Sequence, residues 1–150
     1  MKNKKNKGFT LFELLVSISI IGILTALASV AFSGAQKKAR DARRMEDIKN
    51  IQSAAEQYYS QNATFLYPTS YSAGAVWTPV VGGANVLESY PSDPKGSGYG
   101  SYACIAAFGC GSGSGYCVCA FMKNPLNANA TGACNFSVGT KTHFCAKNQQ

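Results

Sequence analysis

Nineteen consecutive uncharged residues, Leu14 to Phe32, constrain this chain more than anything else in it. As a helix, a run of that length covers the roughly 30 Å of hydrocarbon in a bilayer, so the segment reads as a membrane anchor or an export signal. It opens directly after Glu13. An ionisable group at the edge of a membrane helix costs free energy, less there than at the centre, and asks for a positive partner. No basic side chain lies within the segment. The helix dipole favours a carboxylate at an N-terminus, which accounts for the tolerance of Glu13 but not for the residues around it. The nearest cation does not exist in the intact chain: a cut between Gly8 and Phe9 creates an amine four residues before Glu13.

Three fates are open to such a segment: a permanent anchor, an ordinary signal peptide removed after small residues such as Ala31, Ser33 and Ala35, or a segment cut on its N-terminal side. Ordinary signal peptides carry apolar stretches of about 7–15 residues, shorter than this one, and have no use for Glu13. The third fate fits best. Lys7-Gly8-Phe9-Thr10-Leu11-Phe12-Glu13-Leu14-Leu15-Val16 resembles the prepilin processing motif of type IV pilins and pseudopilins, in which a short basic leader ends in glycine before a phenylalanine. Phe12 stands where an aliphatic residue is commoner. The motif is specific because leader, glycine, aromatic residue, Thr-Leu and glutamate keep fixed spacing directly before a membrane-length run.

The resemblance implies a structural filament subunit cut by a membrane prepilin peptidase between Gly8 and Phe9, with the new Phe9 amine methylated. It implies that Glu13 pairs with that amine, in its own chain or in a neighbour, since residues four apart are neighbours on a helix. The implied partners are other copies in a helical filament, the inner-membrane assembly platform, and lipid before assembly. Within the family, a minor pilin or a type II secretion pseudopilin is the alternative. Outside it, the alternative is a secreted disulfide-rich binding domain released by signal peptidase.

Charge excludes little by itself. The formal charge is +7, but Lys2, Lys4, Lys5 and Lys7 supply four of it ahead of Phe9, leaving +3. Lys37, Lys38, Arg40, Arg43 and Arg44 form one cluster and only four lysines follow Asn62. This distribution offers no broad basic face, so DNA binding is open but unsupported, and the cluster reads as a solvated collar at lipid headgroups. Four lysines before the apolar run and five basic residues after it leave the positive-inside rule undecided. The cysteines and the resemblance place the C-terminal part outside the membrane, in a cell-surface or periplasmic filament after assembly.

Six cysteines, Cys104, Cys110, Cys117, Cys119, Cys134 and Cys145, lie in the last third of the chain and read as a disulfide framework in an oxidising compartment. Zinc is the weaker reading, since His143 is the sole histidine and Cys117-x-Cys119 has no Cys-x-x-Cys partner. Neither a metal nor a cofactor is expected; calcium usually takes several carboxylates, and only Glu88 and Asp93 follow Asn62. Strand geometry argues against a bond between Cys117 and Cys119, while the resemblance to type IV pilins implies one between Cys134 and Cys145. Catalysis is not expected, because His143 beside Cys145 is the one conceivable base and nucleophile pair. Three glycosylation patterns begin at Asn62, Asn129 and Asn135, as chance allows in an asparagine-rich chain.

The expected fold class is α+β, with a leader over 1–8, a membrane or filament-core helix over 9–33, an amphipathic continuation over 34–62 and a disulfide-rich β domain over 63–150. No proline interrupts the chain before Pro68, and Ile48, Ile51, Ala55 and Tyr58 make an apolar stripe that should pack on the domain. Asp41, Glu46, Asp47 and Glu56 are expected to pair along exposed faces. Strands are expected over Ser101–Phe108 and Tyr116–Met122, joined as a hairpin by the glycine-rich 109–115. Tyr90-Pro91-Ser92-Asp93-Pro94-Lys95, with Tyr99 and Tyr102 beyond it, resembles the Pro-x-Asp-Pro segment that leads into the sheet of major pseudopilins.

Overall fold

A computed structural model describes residues 8–96, 102–137 and 139–149. The leader lysines, Tyr99 and Ser101 lie outside the described residues. The element order is α1 (Leu11–Gln61), a 3-10 turn (Ala106–Phe108), β1 (Cys117–Phe121), a second 3-10 turn (Pro125–Asn127) and β2 (His143–Lys147). The chain divides between Gln36 and Lys37 into two compact units. Part of α1 lies in each, and it ends at Gln61, where the sequence loses its helix formers.

Within the second unit the stripe of α1 is core: Ile48, Ile51 and Ala55 are fully buried, and Tyr58 packs against them. Their neighbours are aromatic. Tyr67, Trp77, Tyr90, Tyr102 and Tyr116 are all buried in the same cluster. Tyr67 and Tyr116 rings meet edge-on at 5.0 Å, and Tyr71 meets Trp77 edge-on at 5.1 Å, arrangements that suit the quadrupoles of aromatic rings. Each hydroxyl in such a core needs a partner. Tyr67 and Tyr116 both donate to Glu56, at 3.0 Å each, Tyr102 donates to Asp47 at 2.6 Å, and Tyr90 donates to the Tyr102 carbonyl. Burial holds all of these phenols protonated well above their ordinary value. Asp47 and Glu56 therefore serve the core and not the exposed face, which corrects the pairing expected for them.

The sheet also differs from expectation. β1 pairs antiparallel with β2, Cys119 opposite Cys145, and not with the segment before it. The stretch from 102 to 108 makes one isolated bridge, Cys104 to Val118, and then turns into its 3-10 helix. Two local features remove it from the sheet. Cys104 is bonded to Cys110, closing a tight loop, and Gly109 adopts φ 84°, where an added Cβ would collide with Ser114 Oγ. The glycines thus fold a disulfide loop back on itself and do not connect a hairpin.

Alternation along β1 gives the sheet two covered faces. Val118 and Ala120 join the core under α1, while Cys117 and Cys119 point the other way into a second buried cluster with Ala130, Cys134 and Cys145. Bonds Cys117–Cys134 and Cys119–Cys145 fill that layer. The expected Cys134–Cys145 bond is replaced, because Cys145 stands directly across the ladder from Cys119 and Cys134 reaches Cys117. The outer edge of β2 is closed by side chains: Asn129 gives its amide to Cys145 O and accepts from Cys145 N, and Gln52 donates to Lys147 O.

At the N-terminal end of this unit lies a buried charge cluster. Asp41 and Arg44 have no exposed surface, and Asp93 has 6%. Arg44 Nε and Nη2 donate to the two oxygens of Asp93 at 2.7 and 3.0 Å, and Nη1 donates to Asp41 at 3.0 Å. Asp41 also accepts from the backbone N–H groups of Lys123 and Asn124, and Asp93 from that of Lys95. Arg44 was expected in the exposed collar and Asp41 on an exposed face; both are instead the continuation of the stripe. Positions 41, 44, 48, 51 and 55 follow the 3-4 spacing of one helix face.

Burial pushes the Asp93 carboxyl up, but hydrogen bonds from Arg44 and Lys95 N–H, with the Arg44 charge, hold it below its ordinary value; the Asp93 bond raises Arg44 in turn. A depressed carboxyl stabilises the fold above its unfolded pKa, near 3.8, and that stability is lost as pH falls through the lower folded value. Two predictions result. Arg44→Ala, which strands two buried carboxylates, should cost about 3–5 kcal/mol in urea denaturation of the full chain in detergent at pH 7. Asp93→Asn should cost less and flatten the loss of stability below about pH 4. Peptide mapping of non-reduced protein should recover the pairs 104–110, 117–134 and 119–145.

Candidate processing and assembly site

The first unit carries the residues singled out around Gly8. Gly8, Phe9 and Thr10 precede the helix, and all three are exposed, Phe9 at 88%. Helix α1 begins at Leu11, so Thr10 is its N-cap and Glu13 its third residue. The two form a reciprocal box: Glu13 N donates to Thr10 Oγ1 at 3.2 Å, while Thr10 N and Oγ1 donate to Glu13 Oε2 at 2.9 and 2.8 Å. The carboxylate is thus occupied by neutral donors. Thr-x-x-Glu ahead of an apolar run is the pattern in the sequence that signals this capping role for Thr10.

Beyond Glu13 the helix is apolar on every side, from Leu14 through Phe32, and its large side chains are uncovered. It is long and apolar enough to cross a membrane. Its hydroxyls do not break that character. Ser17, Ser19, Thr25 and Ser29 each donate to the carbonyl four residues before, so they ask nothing of the surrounding lipid. A Cβ at Gly22 or Gly34 would meet nothing within 4 Å, leaving two flat places on the helix.

All six cysteines are in disulfides, so Cys145 offers His143 no thiol, and burial lowers the His143 pKa. The cluster of Cys117, Cys119 and Cys134 likewise presents bonded sulfurs and not thiolate ligands. Asn129 is locked against Cys145, which withdraws one of the three glycosylation patterns from use.

Residues 3–29 match the prokaryotic N-terminal methylation motif. The type II secretion system core protein G of Escherichia coli (strain K12) is 31% identical over 104 residues, 63% of this chain and 70% of that protein. The chain belongs to the type IV pilin and pseudopilin family. The type IV major pilin PilA of Myxococcus xanthus is 34% identical over 59 residues, 39% of this chain but only 27% of that pilin. A fimbrial protein of Pseudomonas aeruginosa is 27% identical over 116 residues, 74% of this chain and 73% of that protein. No solved structure gives a significant match. This pilin-like chain has the architecture expected from the resemblance, one long N-terminal helix and a small antiparallel sheet, α+β in class.

Proposed function

We propose that the chain is a structural, non-enzymatic subunit of a type IV pilus or related filament. In this reading it is made as a single-pass precursor of the cytoplasmic membrane with residues 63–150 outside. Prepilin peptidase removes residues 1–8 by cutting between Gly8 and Phe9, the Phe9 amine is methylated, and copies polymerise through residues 9–33, with 34–62 carrying the globular part. The six cysteines stabilise that part in an oxidising compartment.

The observation that carries the reading is the state of Glu13. It is the sole charge between Gly8 and Gln36, it stands at the start of a helix whose apolar surface is uncovered, and in the uncleaved chain its acceptor oxygen is held by Thr10. Leaving bilayer for a filament core would bury that carboxylate among apolar helices, which is costly without a cation. Cleavage supplies one at Phe9, so assembly becomes conditional on processing. A pseudopilin of type II secretion is the second reading, supported by the likeness to the Escherichia coli core protein G and by the placement of Asp93 within Pro91-Ser92-Asp93-Pro94.

Glu13→Gln separates capping from charge. Glutamine can fill the same place in the capping box, so cleavage after Gly8 should proceed as in the parent, while filament yield should drop at least about tenfold, the equivalent of about 1.4 kcal/mol or more of lost docking. Immunoblots of precursor and mature forms beside counts of sheared filaments would measure both. Normal filament yield from this variant would overturn the charge-pairing account.

A further inference from the structure

The charge cluster of Asp41, Arg44 and Asp93 does more than close the core, because of what it leaves outside. Asp41 is the one acidic residue among the basic positions from 37 to 44. Its two oxygens are taken by Arg44 and by the N–H groups of Lys123 and Asn124, and it has no exposed surface. The remaining basic residues of that stretch, Lys37, Lys38 and Arg43, are exposed and Arg40 is partly so. The acid that would have neutralised this stretch has been turned inward.

The same bonds carry other residues to this place from far along the chain. Asp93 accepts from Lys95 N at 2.8 Å while holding Arg44, which puts exposed Lys95 beside the cluster. Asp41 accepts from Lys123 N at 3.1 Å, which does the same for exposed Lys123. The turn that follows, Pro125–Asn127, is capped by Asn124, itself bonded to Asp41, and its Leu126 is 90% exposed. Six cationic side chains and one protruding leucine therefore gather at the end of the unit where α1 first becomes buried, at Asp41.

We infer that this end is a docking surface for the anionic phospholipid headgroups of the membrane in which the precursor is anchored. The inference rests on the membrane-anchored reading given above. Chain length supplies the partner: Lys37 follows Phe32 by five residues, at most about 18 Å of fully extended chain, so the basic positions cannot travel far from the headgroup layer. Lysine and arginine near an anionic surface are attracted to it within about a Debye length. Leucine beside such cations suits the apolar boundary just beneath the headgroups. Held this way, the unit would present its opposite end, with the Cys117 and Lys147 end of the ladder, away from the bilayer, and extraction into a filament would have to break these contacts.

The test is lysine acylation of the full chain in nanodiscs, followed residue by residue by mass spectrometry, with Lys147, at the opposite end of the ladder, as the internal control. In discs containing phosphatidylglycerol, Lys37, Lys38, Lys95 and Lys123 should react at least about threefold more slowly than in discs of phosphatidylcholine alone, and the difference should vanish in 1 M salt, where screening is nearly complete. Lys147 should be indifferent to lipid. Lys38→Gln with Arg43→Gln should abolish the difference at Lys95 and Lys123. Equal rates in both lipids would overturn the inference and leave the anchored reading standing. Protection that appears in either lipid only on adding duplex DNA, or only on filament formation, would overturn it in favour of that other partner. A chain that fails to insert into either disc would overturn the anchored reading and the inference with it.

Discussion

Asp41, Arg44 and Asp93 make the interaction on which the globular unit depends. An arginine placed on the buried face of a helix is costly unless each of its donors is met and its charge is balanced. Here three donor bonds reach two carboxylates, and those carboxylates in turn order the backbone at 95 and at 123–124. One turn of helix thereby fixes where two loops leave the core. The rest of the α1 face then acts in the same manner: Asp47 holds Tyr102, and Glu56 holds Tyr67, Tyr116 and the N–H of Gln149 near the end of the chain. A two-stranded sheet is too small to organise such a domain alone. Helix carboxylates and three disulfides supply the constraint that further strands would otherwise give.

Function divides along the same helix. From Phe9 to Gln36 the surface is apolar and uncovered, with Glu13 as its single charge; after Lys37 nearly every charged residue on the inner face has an assigned partner. The first stretch is suited to exchange one apolar environment for another, bilayer for filament core. Such exchange releases little hydrophobic free energy, since both environments are apolar. In the proposed filament, specific docking would come from the polar group the helix retains, Glu13.

Much of this was legible in the sequence. The uncharged run, Glu13 and the Gly8-Phe9 step identify the N-terminal half because membrane segments and processing motifs are contiguous in the chain. The helix end at Gln61 and the stripe of Ile48, Ile51 and Ala55 were legible for a similar reason, being periodic. What was not legible is contact between distant positions. Arg44 looks like one more member of a basic cluster until Asp93, 49 residues later, is seen to be its partner. Extending the 3-4 spacing back from Ile48 lands on Arg44 and Asp41 and was the available signal. The pairing of β1 with β2 spans a long connection that carries no local pattern, whereas the glycine-rich segment beside β1 imitates a hairpin while closing a disulfide loop.

The proposed function requires that the chain be processed at the start of its apolar helix and keep that helix. The intact mass and N-terminal sequence of the mature protein, taken from the cell envelope or from sheared filaments, test this most directly. A mature chain that begins at Phe9, with its amine methylated, is the predicted result. A mature chain that begins near Gly34 or Gln36, or one that retains Lys2 to Gly8, would contradict it.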